Sequence, residues 1–370
     1  MNRISLRLFL QLGLSALFAL TCPSEASAYT PEEEKMLEMH RKFRELYEKD
    51  SEEEFYQVAH DYEELLLDNK RMSDYYKIKC NEGFYDVSHR HMYRAMKTAK
   101  ELDELVRENG DKDYYYLATG LFGDVYHMSF DGKKARQYYL QSLKEVGDRD
   151  AKFTMNIYLN LADLLNVQAP DKALGYADKA IELAKKVDNM EFLSLSIAYK
   201  AFVTFLSKRD PMDFNLLYER YDYLRKRDHP DFNHRYDGIM EAAKAAYDKR
   251  YDEALAIIRK KGVKTDSALS VVRVYVLAGD IDNSYEAMRR AYNDVDSAFS
   301  VTQSANFDEL SAERQLMLTR EEAAMNRELA KRTIIWLVIV VVVFAIVYIM
   351  GRRRLMRKIQ KLKKELKETK

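Results

Sequence analysis

The side chains best suited to metal chemistry lie around Pro230. His229 and Asp231 flank this proline, and His234 and Asp237 follow a few residues later. Imidazole and carboxylate groups are common ligands of divalent transition metals. The same residues also fit a turn in which a carboxylate caps the next helix. Because no further ligands stand near them in the chain, we expect the turn, with no metal and no other cofactor.

Two further histidines, His89 and His91, stand two residues apart in a segment that we predict to be helical. Side chains at that spacing point to different faces of a helix, which disfavours joint metal binding. The chain contains no Gly-rich phosphate loop with a following lysine, and no serine-hydrolase or zinc-protease signature. We therefore expect that this chain is not an enzyme.

An uncharged apolar run of eighteen residues occupies 333–350. A helix of that length spans about 27 Å, close to the thickness of the hydrocarbon core of a bilayer. Residues 351–370 carry ten Lys or Arg against two Glu, and a basic flank of this kind favours the cytoplasmic side. We predict one transmembrane helix at 333–350 and a cytoplasmic tail at 351–370.

The first 28 residues have the pattern of a secretory signal peptide, with a basic start, an apolar stretch and small residues that end at Ala28. The residues before Cys22 fit a lipid-attachment box poorly, so we favour cleavage after Ala28. Residues 29–332 are then expected in the periplasm, with the protein held in the inner membrane. The mature chain keeps one cysteine, Cys80, which excludes an intrachain disulfide and favours burial as a small hydrophobe.

The formal net charge is +0 at pH 7, but the charges are distributed unevenly. The tail is strongly basic, whereas the exported part is mildly acidic. An acidic exported part argues against nucleic acid or anionic lipid as its ligand. The basic tail fits contact with anionic lipid at the inner leaflet.

The segment 29–300 is predicted to be helical throughout, because prolines and glycines are few and no alternating β-branched stretches occur. Helix starts are expected at Pro31, after Ser51 and at Pro211. Breaks are expected near Asp50, Asn69, Asn109, Asp131, Gly147, Pro170, Asp188, Pro230, Gly262 and Gly279. Helices of twelve to twenty residues with short turns indicate antiparallel hairpins stacked in a row. Most of the 27 tyrosines are expected to pack between these helices.

Small residues recur where the two helices of a hairpin must approach closely. The positions Ala135, Tyr139 and Ser142 of one hairpin correspond to Ala173, Ala177 and Ala180 of the next. This order resembles the tetratricopeptide repeat, a helix-turn-helix unit of about 34 residues. The spacing of equivalent small residues varies from 30 to 38, and the proline that often ends such a unit is missing. The resemblance implies an all-α solenoid over 29–300.

In tetratricopeptide arrays the first helix of each hairpin lines a concave groove. Carried over by register, the resemblance places Asp124, His127, Asp163, Asn166 and Arg273 in that groove. Polar groups there suit the capture of a peptide end or side chain through charge-assisted hydrogen bonds. The alternative, that these are solvated positions without a ligand, stays open at this point.

A second resemblance extends over most of the mature chain. It is carried by FYDVSHRHMYRAMKTAKELDEL, YYYLATGLFGDVYHMSFDGKKARQYYLQSLKEV, HPDFNHRYDGIMEAAKAAYDKRYDEAL and RRRLMRKIQKLKKELKETK. With a signal peptide, a helical array, a charged helix at 301–332, one span and a basic tail, the chain resembles the sensory half of a class of bacterial membrane histidine kinases. Such kinases usually continue into a phosphoacceptor helix and an ATP-binding domain, and related regulators into a DNA-binding domain. No histidine follows the span, so the tail is not expected to act as a phosphoacceptor, and residues 351–370 are expected to contain neither output domain.

The tail has the a/d rhythm of a coiled coil at Leu355, Ile359, Leu362 and Leu366. Two heptads are marginal for an isolated helix, so pairing needs support from the adjoining membrane helix. Leu310, Met317 and Ala324 also recur every seven residues in the charged helix. We predict a parallel homodimer in which a long helix leads from the solenoid through the membrane.

These features together predict a periplasmic sensor or interaction module that binds a peptide or protein partner and signals through one membrane helix. A cytoplasmic kinase or regulator would then be supplied by a partner. The alternative is a static, membrane-tethered scaffold for envelope proteins. The heptads of the tail favour signalling, since an anchor alone does not need them.

Overall fold

The computed structural model describes residues 31–49, 51–207, 210–261, 264–297 and 299–300, together with isolated positions between 303 and 356. The chain divides into two compact units, 1–309 and 310–370, and the helices below all belong to the first. The predicted signal peptide at 1–28 and the seam residues Leu355, Ile359, Leu362 and Leu366 lie outside the described residues.

The described part of the first unit consists of helices and short turns, and no strand occurs in it. The helices are α1 (Pro31–Glu48), α2 (Glu52–Asp68), α3 (Met72–Ser88), α4 (Met92–Glu108), α5 (Tyr115–Met128), α6 (Gly132–Val146), α7 (Ala151–Leu165), α8 (Pro170–Lys186), α9 (Met190–Leu206), α10 (Pro211–Arg225), α11 (Asp237–Tyr247), α12 (Tyr251–Lys261) and α13 (Lys264–Ala278). Residues 281–297 form a further helix, here called the terminal helix.

Successive helices pack against each other along the whole array. In addition, α3 contacts α5, α7 contacts α9, α9 contacts α11, and α11 contacts α13. The odd-numbered helices thus form an inner layer of neighbours, and the even-numbered helices pack outside it. This is the arrangement of a tetratricopeptide-like α-solenoid, so the predicted all-α fold of stacked hairpins is confirmed for this part of the chain.

The turns that join the first helices share one geometry. Lys70, Arg90, Gly110 and Phe130 follow each other at intervals of twenty residues, and each has a φ between 57° and 72°. After each of them, the next N–H donates to a carbonyl five residues back, for example with N···O 2.9 Å in the turn at Phe130. Such bonds satisfy carbonyl groups that a helix end leaves without partners. A hairpin in this half of the array therefore takes forty residues.

The three predicted helix starts, at Pro31, after Ser51 and at Pro211, are confirmed. The side chain of Asp210 caps α10 by accepting a hydrogen bond from the Met212 N–H at 2.8 Å, whereas Ser51 makes no capping bond with its side chain. The prediction that His89 and His91 lie within one helix is wrong. They flank Arg90 in the turn between α3 and α4. No glycine or proline marks this turn in the sequence.

Tyrosines occupy the core of the array, as predicted. Five of them, Tyr76, Tyr85, Tyr139, Tyr221 and Tyr236, are among the largest fully buried side chains. The predicted burial of Cys80 is confirmed as well, and burial raises the pKa of its thiol well above the usual value. A protonated, enclosed thiol behaves as a small apolar side chain.

Tyrosine hydroxyl groups also tie one hairpin to the next. Tyr76, near the start of α3, donates to Asp111 at 2.5 Å, in the turn before α5. Tyr116, near the start of α5, donates to Asp150 at 3.2 Å, in the turn before α7. Because a buried hydroxyl needs a partner, these bonds fix the stacking of adjacent hairpins.

The close approach of α11 to α12 depends on Gly238. A Cβ atom at this position would lie 2.7 Å from the carbonyl oxygen of Lys261, whereas a Cβ atom at Gly175 in α8 would meet nothing within 4 Å. We expect Gly238→Ala to lower the free energy of unfolding by about 1–3 kcal/mol, since backbone must move. The matched change Gly175→Ala is expected to raise it by about 0.5–1 kcal/mol.

Urea unfolding followed by circular dichroism measures both effects. Equal midpoints for the two variants would contradict the tight packing of α11 on α12.

None of the helices among the described residues is both long and apolar enough to cross a membrane. Of the predicted span at 333–350, only Met350 belongs to the described part of the chain.

Candidate functional site

Two columns of polar residues run along the inner layer of helices at a constant spacing of 36 residues. The first column consists of Asp124 on α5, Asn160 on α7 and Ser196 on α9. The second column consists of His127, Asp163, Tyr199 and Arg235, which lie on α5, α7 and α9 and just before α11. We call these two sets the polar columns.

The first column is buried and centres on Asp124, whose residue is 6% exposed. Its Oδ1 accepts hydrogen bonds from the Tyr139 hydroxyl of α6 at 2.6 Å and from the Asn160 amide at 2.9 Å. One carboxylate thus joins three helices from two hairpins. Hydrogen bonds of this kind offset the cost of burying a polar group.

The second column is partly exposed at His127 and Asp163, whereas its Tyr199 is buried. Oδ1 of Asp163 accepts from the Tyr199 hydroxyl at 2.9 Å and from the Asn166 amide at 3.3 Å. Oδ2 of Asp163 lies 3.6 Å from Nε2 of His127, and the two side chains are 18% and 19% exposed. A group from a partner can therefore approach this pair, which it cannot do at Asp124.

Burial sets the charges of the columns. It raises the pKa of Asp124 to about 7, although the hydrogen bond from Tyr139 lowers it. It raises the pKa of Asp163 to about 6, against the hydrogen bond from Tyr199 and the charge of Arg235. It lowers the pKa of His127 to about 4. At neutral pH the columns therefore present an ionised Asp163 beside a neutral imidazole.

The structure brings together four of the five residues predicted to line the groove. Asp124, His127, Asp163 and Asn166 all belong to one hydrogen-bonded region between α5, α7 and α9. Within it Asp124 is enclosed, whereas His127 and Asp163 are partly open. Arg273 lies apart from them.

Arg273 connects the last helices of the array. It is 8% exposed, and its Nε donates to the backbone carbonyl of Phe205, at the end of α9, at 2.9 Å. A guanidinium group that caps a helix end in this way satisfies a carbonyl without an intrahelical partner. Arg273 therefore links α13 to α9.

Sequence reasoning missed Tyr139, Asn160, Tyr199 and Arg235. Three of them could have been found from the interval of 36 residues that separates Asn160, Tyr199 and Arg235 from their predecessors in the columns. Tyr139 could not, since it comes from α6 and meets Asp124 only across the hairpin.

The residues around Pro230 form a turn. Nδ1 of His234 lies 3.0 Å from Oδ2 of Asp237, and Oδ1 of Asp237 accepts from the Tyr221 hydroxyl at 2.7 Å. The backbone N–H of Asp231 donates to Nδ1 of His229 at 3.2 Å. Among the described residues, no group of three or more His, Cys, Asp or Glu is arranged to hold a metal ion.

The stacked hairpins and the polar columns define an all-α helical-repeat protein. No protein-family model and no curated protein matches the sequence. A solved structure of a signal transduction ATPase with numerous domains from Pyrococcus horikoshii, which has a tetratricopeptide repeat sensor, is similar with a TM-score of 0.39 and 17% identity. The similarity covers 76% of this chain and 39% of that one, so the chain spans about two-fifths of its length. The helices of this chain and the contacts between them define the fold.

Proposed function

We propose that the chain is a membrane-anchored, exported interaction module that binds a peptide or protein partner along the second polar column. The observation that carries the proposal is the partly exposed pair His127 and Asp163, which lies on α5 and α7 and links neighbouring hairpins. Repeat arrays bind partners through extended surfaces of this kind.

The chemistry of the column favours a partner with hydrogen-bond donors or a positive charge. Asp163 is ionised at neutral pH, and its Oδ2 lies 3.6 Å from Nε2 of His127, whose imidazole is neutral. A lysine, arginine or amino terminus of the partner can donate to this oxygen in a charge-assisted bond. Asn166, at the end of α7, donates its amide to the other carboxylate oxygen, Oδ1.

The sequence supplies the remainder of the proposal. The signal peptide at 1–28, the apolar run at 333–350 and the basic tail at 351–370 favour a periplasmic array, one span of the inner membrane and a cytoplasmic end. The chain then resembles the sensory half of a membrane histidine kinase, is itself not an enzyme, and passes its signal to a cytoplasmic kinase or regulator. A static scaffold for envelope proteins is the second candidate, and it needs no pairing of the tail.

Photocrosslinking in living cells tests the binding surface. The turn after α7 contains Val167, which follows Asn166 and is exposed, and the turn after α8 contains Val187, which is exposed at the opposite end of the helices. With benzoylphenylalanine at position 167, we expect one discrete adduct whose partner mass spectrometry identifies. The same group at position 187 is the matched control and should give background only.

A second variant links the adduct to the column. His127→Ala in the position-167 protein should reduce the adduct at least threefold, since it removes one of the two partly open side chains. Adducts of equal yield at positions 167 and 187, or an adduct that His127→Ala leaves unchanged, would refute binding at this column.

A further inference from the structure

A pair of phenylalanine rings connects the end of the terminal helix to the middle of the array. Phe299, which is helical and follows the terminal helix closely, lies against Phe130 with 5.6 Å between ring centroids and 73° between ring planes. Aromatic pairs prefer an edge-to-face arrangement at this distance. Phe130 belongs to the turn between α5 and α6, whereas the terminal helix begins after α13. The segment that follows the last hairpin thus returns to an earlier one.

Phe130 has a backbone conformation that a bulky side chain rarely adopts. Its φ is 63°, in the left-handed region, and the other described residues with a positive φ are either charged or glycine. Gly110 occupies the equivalent place in the preceding turn. A left-handed conformation is unfavourable for a residue with a Cβ atom, and such residues cluster at functional positions. The turn itself does not require an aromatic ring, so the contact with Phe299 gives a reason for the ring.

The two rings lie outside the hydrophobic core. Phe130 is 46% exposed and Phe299 is 40% exposed, and neither belongs to a cluster of buried apolar side chains. Because little apolar area is removed from water, the contact is weak compared with one in the core. It can therefore form and break while the hairpins stay folded.

The turn at Phe130 is bonded directly to the second polar column. The backbone N–H of Phe130 donates to the carbonyl oxygen of His127 at 3.0 Å. His127 is one of the two partly exposed residues of that column, and its Nε2 lies 3.6 Å from Oδ2 of Asp163. A single hydrogen-bonded turn thus separates the pair proposed to bind a partner from the ring that contacts the terminal segment.

We propose that the contact between Phe130 and Phe299 couples the second polar column to the segment that leads from the array towards the predicted span. The contact holds the end of α5 where His127 stands beside Asp163, which is the arrangement that binds the partner. This inference rests on the proposed function, because it gives the bound partner an output. Coupling between two sites is reciprocal, so a bound partner in turn favours the docked terminal segment.

Photocrosslinking within the chain tests the contact. With benzoylphenylalanine at position 130 of the full chain in membranes, we expect a crosslinked product that migrates as one chain. Mass spectrometry should locate the crosslink in the peptide that contains residue 299. Leu67, which is 43% exposed near the end of α2, is the control position with matched exposure. A yield of this crosslink from position 130 that is less than five times the yield from position 67 would overturn the contact.

Variants of the two phenylalanines test the coupling. In the protein with benzoylphenylalanine at position 167, Phe299→Ala should reduce the partner adduct at least twofold, because the end of α5 is no longer held. Phe130→Gly, which suits the positive φ, should reduce it as much. The two changes together should reduce it no further, since each removes the same contact. Tyr285→Ala, which removes an exposed aromatic side chain from the same helix, should leave the adduct unchanged.

Circular dichroism checks that each variant stays folded. An unchanged adduct in folded Phe299→Ala would overturn the coupling, and so would losses that multiply in the double variant.

A failure of the coupling is distinguishable from a failure of the proposed function. A crosslink from position 130 to the peptide with residue 299, without an adduct at position 167, would remove the binding surface and with it the coupling, and would leave only the contact. An adduct at position 167 without that crosslink would keep the binding surface and overturn the coupling.

Discussion

Asp124→Asn is expected to make the protein more stable than the wild type at pH 8, and to leave its stability nearly unchanged at pH 4. The carboxyl group of Asp124 is buried among α5, α6 and α7, and burial raises its pKa to about 7. An aspartate in the unfolded chain has a pKa of about 3.9. Between these two values the folded protein binds more protons than the unfolded chain at this residue.

The free energy of unfolding therefore falls as the pH rises from about 4 to about 7, and the full cost of ionising Asp124 is present above pH 7. Asparagine has nearly the same shape and stays neutral, so the variant escapes this cost. A shift of one pKa unit corresponds to about 1.4 kcal/mol. The hydrogen bond from Tyr139 is weaker to asparagine than to the carboxylate, which offsets part of the stabilisation. The free energy of unfolding of the variant is therefore expected to exceed that of the wild type by about 2 kcal/mol at pH 8.

Urea unfolding of both proteins at pH 4, 6 and 8 measures the difference. Asp163 and His127 also titrate in this range, but they do so in both proteins and cancel in the comparison. Asp131→Asn is the control, since this carboxyl group is exposed at the start of α6 and its pKa is lowered by the backbone N–H of Lys134. A difference for Asp124→Asn that does not grow with pH would contradict a desolvated carboxyl group.

Much of the array could be predicted from the sequence because local signals mark its turns. Gly110 and Gly279 permit the left-handed backbone at helix ends, and Pro170 and Pro211 fix the backbone of a first helical residue. The turn at Arg90 has no such signal. Its left-handed backbone is imposed by the bonds that close α3 and by the packing of α4.

The site was only partly predictable, because the repeat length is not constant. Tyr76 and Tyr116 are equivalent at an interval of 40 residues, whereas the polar columns recur at 36. A search for a repeat of 34 residues therefore does not align the equivalent positions. The repeat register predicts Asp124, His127, Asp163 and Asn166 from their places on the first helices of hairpins. It also predicts Arg273 for the same groove, whereas Arg273 binds the end of α9.

The effect of a partner at Asp163 is expected to reach more than one hairpin. Asp163 on α7 is bonded to Tyr199 on α9 and lies beside His127 on α5. A bound cation that draws on the Asp163 carboxylate therefore acts on groups from three helices of the inner layer. This arrangement offers a physical route from a binding event to the stacking of the hairpins, which a sensor requires.

Reporter fusions that test the predicted topology are expected to show the largest difference, because a reporter enzyme is either active or inactive at a given site. In the proposed topology, the predicted signal peptide at 1–28 exports the array, and the apolar run at 333–350 with the basic residues after it retains the tail. An alkaline phosphatase fused after Ser300 is expected to be active, since that enzyme folds only outside the cytoplasm. Fused after Lys370, it should show background activity only.

The central claim, that the helical-repeat array and the tail lie on opposite sides of one membrane, is tested most directly by pairing this fusion set with a reporter that works only in the cytoplasm. A fluorescent protein that does not mature outside the cytoplasm should be bright after Lys370 and dark after Ser300, the reverse of the phosphatase. Phosphatase activity after both sites, or fluorescence after both sites, would place array and tail on the same side and contradict a sensor that signals across the membrane.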